Sequence, residues 1–157
     1  MTALLEIVDL TTCFRIDGRW HPAVRGVSLR LAPNETLALV GESGCGKSVT
    51  AMSVLRLLPD SGCRIERGEV RFGDADLLRL DEPAMAAIRG NRIAMIFQEP
   101  MTALNPVLPV GFQVAEPLVC HQGLNRDDAL AAAIGLLERV GIPSARSRCT
   151  DYPHQFS

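Results

Sequence analysis

No apolar run in this 157-residue chain approaches the ~20 residues that a membrane-spanning helix needs. The longest candidates, residues 36–41 and 93–97, are far too short, so any membrane connection is expected to come through a partner. The N-terminus, Met1–Asp9, lacks the basic start and apolar stretch of a secretory signal. Basic residues are not in excess: 16 Lys and Arg face 18 Asp and Glu, a net charge of −2. That balance argues against a nucleic-acid binder relying on a general positive field, and leaves a local basic patch open. The five cysteines, at 13, 45, 63, 120 and 149, make no C-x-x-C pair, and no histidine joins them at zinc-site spacing. An odd, scattered set suggests reduced thiols in a cytosolic protein. Internal repeats and low-complexity segments are also lacking.

What is present reads as one α/β domain of ordinary composition, 47% hydrophobic and 22% charged. Residues 4–31 suggest two or three β segments, with Val27, Leu29 and Leu31 alternating, and a polar loop at Asp17–Pro22 between them. Pro33-Asn34-Glu35 is a turn. Leu37–Val40 then runs apolar without alternation, as suits a parallel strand buried on both faces. A helix is expected from Lys47 to Leu58, where Pro59 stops it, then a strand at Glu69–Phe72 and a helix at Glu82–Arg89 closed by Gly90. Ile93–Phe97 reads as a second buried strand. Asn125 can cap a helix with apolar face Leu130, Ala133, Ile134, Leu137 and Val140, ended by Gly141 and Pro143. Strands giving way to helices imply α/β with an antiparallel layer at the start.

The chemistry concentrates at residues 41–48, Gly-Glu-Ser-Gly-Cys-Gly-Lys-Ser, which fit G-x-x-x-x-G-K-S/T. The glycines reach torsions closed to other residues, so successive N–H groups can turn inward around an anion. A helix starting near Lys47 adds its positive end at the same spot. Lys47 supplies a mobile point charge for β and γ phosphates, and the Ser48 hydroxyl is a ligand for magnesium. The candidate nucleotide-binding residues are therefore Gly41, Glu42, Ser43, Gly44, Cys45, Gly46, Lys47, Ser48 and Val49, with ATP and Mg2+ as the expected cofactors. A turn that merely links strand to helix would explain neither the lysine nor the serine.

A guanine-specific GTPase should carry N-K-x-D and D-x-x-G motifs, and the chain has neither. A small-molecule kinase is compatible with the loop alone. The stretch Asn91-Arg-Ile-Ala-Met-Ile-Phe-Gln-Glu-Pro-Met-Thr-Ala-Leu-Asn-Pro106 resembles the Q-loop region of ABC transporter ATPases, in the branch that powers oligopeptide, dipeptide and glutathione importers. Glu35–Pro59 and Tyr152–Ser157 resemble the same branch, so the likeness spans nearly the whole chain. It implies a P-loop core of the ABC ATPase type with an N-terminal antiparallel β layer (residues 1–98), followed by a Q-loop and the start of a helical subdomain (residues 99–157).

The resemblance further implies that Gln98 contacts magnesium and the attacking water, which makes Lys47 and Gln98 the catalytic candidates and Ser48 and Gln98 the metal ligands. An aromatic near the end of the first strand stacks on adenine in such proteins; Phe14 is the candidate and Trp20 its competitor. Two departures stand out. Asn34 occupies a turn position where relatives usually have glycine, and asparagine tolerates positive φ. Phe112 stands where relatives often carry glutamate.

Ser157 matches the signature serine, which in the family touches the γ-phosphate held by an opposite subunit. The signature glycines, an acidic strand end, a catalytic glutamate and a switch histidine would follow it. No apolar strand ending in aspartate occurs before that point, so this length alone is expected to bind nucleotide and scarcely hydrolyse it. The implied partners are transmembrane permease subunits, met through the Q-loop region, and a second ATPase subunit arranged head-to-tail. The implied place is the cytoplasmic face of the inner membrane. A small-molecule kinase, a non-hydrolysing nucleotide-binding fragment and a DNA-repair ABC protein are the alternative readings.

Overall fold

The computed structural model describes residues 3–98 and 103–156, which form two compact units, 1–86 and 87–157. Asp17 and Gly18 open the first unit's architecture. Both have positive φ, 49° and 78°, so two residues suffice to reverse the chain between β1 (Leu5–Ile16) and β2 (Arg19–Leu31). The pairing runs from Leu5 opposite Leu31 to Ile16 opposite Arg19. Trp20, His21 and Pro22 therefore belong to a strand, and the loop expected over Asp17–Pro22 shrinks to two residues.

β3 (Cys63–Phe72) lies antiparallel to β1 on its other side, with Ile7 opposite Val70, and begins six residues before the expected Glu69. The short β4 (Ala75–Asp76) completes a four-stranded sheet in the order β2-β1-β3-β4. This is the antiparallel layer anticipated from the sequence. Asp9, at φ 48°, marks a bulge in β1 that re-aims the strand, so Leu10 and Val70 come to be fully buried with Leu77 and Met85.

α1 (Lys47–Val54) stops four residues short of the expected Leu58, because Arg56 turns to φ 51° before Pro59 can act. A buried polar pair ties α1 to the sheet. Ser53 Oγ donates to Val49 O at 2.7 Å and lies 2.9 Å from Thr12 Oγ1, so Thr12 donates to Ser53. Both residues are fully buried, where a hydroxyl without a partner would cost about 1–3 kcal/mol. α2 (Glu82–Ile88) starts where Asp81 accepts from the Ala84 N–H at 2.9 Å, and ends near Gly90 at φ 75°.

The two strands expected to be buried do not form. Residues 37–40 and 94–97 carry no strand pairing; Val40 is 89% and Ile96 96% exposed. A strand covered on both faces needs ladder neighbours on both edges. Among the described residues the one parallel contact outside the sheet is an isolated bridge, Arg89 to Ile93.

In the second unit, α3 (Val110–Gln122) and α4 (Arg126–Arg139) pack through Ala115, Ala129 and Ala133, whose small side chains let the helices close. Asn125 caps α4 as expected, its side chain accepting from the Asp128 N–H at 2.9 Å, and Gly141 follows the helix at φ 82°. Ala133 and Leu137 are buried, but Leu130 and Val140 of the expected apolar face are exposed, and Ala129 takes the inner position. α5 (Ala145–Arg148) and a 3-10 turn (Pro153–Gln155) follow. Asn34 has φ 59°, as its turn position requires, and Phe112 stands half exposed on α3. No helix among the described residues is long and apolar enough to cross a membrane.

Cys13 gives the sheet a pH signature. Its buried thiol donates to Glu66 Oε2 at 3.1 Å. Burial, then the bond to Glu66, pushes the thiol above its ordinary value; Cys63, also buried, is raised by desolvation. Above the unfolded thiol value of about 8.5 the folded state holds more protons than the unfolded one, so stability falls as pH rises. Urea melts at pH 7 and pH 10 should show this loss, and Cys13→Ala should shrink the difference between them. An unchanged pH difference in Cys13→Ala would refute the assignment.

Candidate phosphate-binding site

The site is built at the junction of the 41–46 loop with α1. Gly46 is the N-cap of α1 at φ 99° and ψ 4°, and no side chain caps the helix. The first intrahelical bond runs from the Thr50 N–H to Gly46 O at 2.8 Å, backed by Thr50 Oγ1 to the same carbonyl at 2.9 Å. The N–H groups of residues 46–49 therefore have no intrahelical acceptor, and they point out of the helix start. With the helix dipole behind them, they form a set of donors fit for a phosphate.

Lys47 folds back over the loop. Its Nζ donates to Gly41 O at 2.6 Å and Glu42 O at 2.7 Å, and lies 3.5 Å from Cys45 Sγ. The ammonium thus sits at the loop mouth on neutral carbonyls that an anion can outbid. Two glycines allow the loop to close this tightly. A Cβ on Gly41 would lie 2.6 Å from Cys45 Sγ, and one on Gly46 would lie 2.7 Å from Ala23 O in β2. Cys45 is exposed, and a group added to its sulfur would enter the space beside Lys47.

The structure brings Gly41–Val49 together as the sequence suggests. It also adds residues that the sequence reading missed. A cleft of about 460 Å³ beside the loop is lined by Pro22, Ala23, Val24 and Val27 of β2 together with Gly44, Cys45 and Thr50. Only the hairpin register, set by Asp17-Gly18, could have pointed to Ala23 and Val24. Thr12 and Ser53 were likewise unmarked, except that Ser53 falls on the inner face of α1.

Phe14 lies on β1 opposite His21 and Cys63, in the same unit as the loop, and is not among the residues lining the cleft. Trp20 already has a partner: the Arg64 guanidinium stacks over its ring, 4.2 Å from the centroid. Gln98 is exposed and belongs to the second unit. The neighbouring residues 99–102 and Ser157 lie outside the described residues.

An uncapped helix start, a glycine loop and an inward lysine define a P-loop protein that binds nucleotide phosphates. The family model described as "ABC transporter" matches residues 24–157, and the chain belongs to that family. It is 51% identical over 160 residues to a protein named as a putative peptide import ATP-binding protein from Brucella abortus (strain 2308), covering 98% of this chain and 47% of that protein. It is 45% identical over 157 residues to the oligopeptide transport ATP-binding protein OppD of Bacillus subtilis (strain 168), covering 100% of this chain and 44% of the relative. The chain thus spans a little under half the length of these relatives. Among solved structures, an ATP-binding cassette in a dimeric post-hydrolysis state, bound to ADP and Pi, superposes with a TM-score of 0.78. That match covers 98% of this chain and 63% of the other at 21% identity, and speaks for the fold.

Proposed function

We propose that this chain is the phosphate-binding part of an ATP-binding subunit that powers import of peptides or related small solutes through a membrane partner. The observation that carries the reading is the uncapped start of α1, with Lys47 folded over its donors. The names of the relatives at 45–51% identity support the peptide class.

In this reading the N–H groups of residues 46–49 and Lys47 hold the β and γ phosphates, while Ser48 and Gln98 hold Mg2+, which neutralises phosphate charge. Gln98 also orients the attacking water, and Lys47 gathers charge on the transferred group. The donor set fits the metal: a hydroxyl and an amide oxygen are the hard ligands that magnesium prefers. Phe14 stacks on the adenine. The complete protein works as a head-to-tail pair with a second ATPase subunit, at the cytoplasmic face of the inner membrane. It meets permease subunits through the region around Gln98.

Calorimetry and vesicle reconstitution test this together. The complete subunit should bind Mg-ATP, and Phe14→Ala should weaken binding about tenfold, in line with stacking worth roughly 1–3 kcal/mol. Trp20→Ala should stay within about twofold, because Arg64 occupies that ring. In vesicles with its membrane subunits, ATP hydrolysis should rise when peptide is supplied. Hydrolysis indifferent to peptide, or phosphate passed to an added small acceptor, would overturn the reading. A costlier Trp20→Ala would reverse the base assignment.

A further inference from the structure

Arg148 ends α5, and its side chain makes three contacts with the eight residues that follow. Its Nε faces Asp151 Oδ2 at 3.4 Å, its Nη2 donates to Gln155 O at 2.9 Å, and its guanidinium lies 4.3 Å from the centre of the Phe156 ring. The ion pair is partly buried, with side chains 26% and 32% exposed. Only a planar, multidentate cation can bind a carboxylate, a carbonyl and an aromatic face at once. Inside this grip the segment braces itself. The Tyr152 N–H donates to Gln155 Oε1 at 2.8 Å, and Phe156 packs on the cluster of Val110, Leu137, Ala145 and Cys149.

The same segment is joined to the start of α3. The Val110 N–H donates to Asp151 O at 2.9 Å, and the Gly111 N–H to Cys149 O at 2.8 Å. These bonds satisfy two donors that the first turn of α3 leaves without intrahelical partners. The approach is as close as a backbone allows: a Cβ on Gly111 would meet both Cys149 Cβ and Cys149 O at 2.7 Å. The beginning of α3, which follows the Gln98 region in the chain, and residues 149–156 therefore form one tight joint. Arg148 locks its free end.

We propose that Arg148 is a positioning residue for ATP hydrolysis: it holds residues 151–156 against the start of α3, so that the segment leading to Ser157 presents that serine to nucleotide on the second subunit. This inference rests on the ATPase reading above. It goes beyond it by assigning a role to a residue that touches neither nucleotide nor metal. Because the grip acts on presentation, its loss should spare nucleotide capture at residues 41–48 and lower turnover. A displacement of about 1 Å in a reacting group can cost up to ~10²-fold in rate.

The test uses the complete protein with its partner subunits, comparing Arg148→Ala, Arg148→Lys and Lys47→Ala. Arg148→Ala should lower kcat about tenfold or more, with KM for ATP and the calorimetric ATP affinity within about twofold. Arg148→Lys, which keeps a cation for Asp151 or Gln155 O but not the planar stack, should recover part of the loss. Turnover within about twofold of normal in both variants would overturn the proposal. So would a fall in kcat that merely tracks lost ATP affinity and a lower melting temperature. If Arg148→Ala does not fold, Arg148→Lys decides: reduced kcat at normal affinity supports the role, and normal kcat refutes it. Lys47→Ala separates the two levels, since hydrolysis surviving that change defeats the ATPase reading itself. Normal turnover in the Arg148 variants beside a dead Lys47→Ala defeats only the positioning role.

Discussion

Lys47→Ala should lower Mg-ATP affinity by about 10²–10³-fold in the complete subunit while leaving its melting temperature nearly unchanged. The ammonium lies 2.6 and 2.7 Å from Gly41 O and Glu42 O, held at the loop mouth by acceptors that carry no net charge. A phosphate offers stronger, charge-assisted bonds from the same position. Each hydrogen bond to a charged group is worth about 1.5–3 kcal/mol, so losing two costs about 3–5 kcal/mol, and 1.4 kcal/mol is a factor of ten. The loop carbonyls that Lys47 leaves face solvent and can bind water, so folding loses little. Lys47→Arg should not restore affinity, because a planar fork cannot occupy the pocket of a compact point charge. Calorimetry showing near-normal affinity in Lys47→Ala would remove the lysine from the phosphate site.

Gly46→Ala should be the second severe change, destabilising the first unit by about 2–4 kcal/mol and weakening ATP binding at least tenfold. Two effects combine. The residue sits at φ 99°, where a side chain costs about 1–3 kcal/mol. Its Cβ would also stand 2.7 Å from Ala23 O, a backbone atom of β2 that cannot rotate aside. Relief requires α1 to move from the sheet, against the buried Thr12–Ser53 bond, and that carries the N–H groups of residues 46–49 out of place. Gly44→Ala separates the two causes, for Gly44 has φ 82° but nothing within 4 Å of its Cβ. It should cost only the backbone term, about 1 kcal/mol. Equal losses in the two variants, measured by urea melts and calorimetry, would show that the contact with β2 is not what matters.

These two residues also mark how far the sequence reaches. The pattern at residues 41–48 is legible because each of its residue types answers a local demand: positive φ, a mobile cation, a hydroxyl. It does not say what the glycines press against. The contact of Gly46 with Ala23 joins residues far apart in the chain, and follows only from the register of β2. The hairpin was half legible. Alternation over Val27, Leu29 and Leu31 identified a strand, but the polar stretch at Asp17–Pro22 looked like a loop because Trp20 and His21 face outward in β2.

By itself the sequence determined the phosphate loop, the cap at Asn125, the short α2 between Asp81 and Gly90, and the order of strand layer before helices. All of these are set by bonds and torsions within a few residues. Tertiary structure alone decided which apolar segments are covered. Leu37–Val40 and Ile93–Phe97 have the composition of buried strands, yet Val40 and Ile96 stand open, because burial belongs to a segment's neighbours as much as to its side chains. It decided equally that Cys13 meets Glu66, that Thr12 braces α1, and that Arg148 grips the segment ahead of Ser157. Such contacts need folded backbone to bring their partners within 3–4 Å, and spacing along the chain does not encode them.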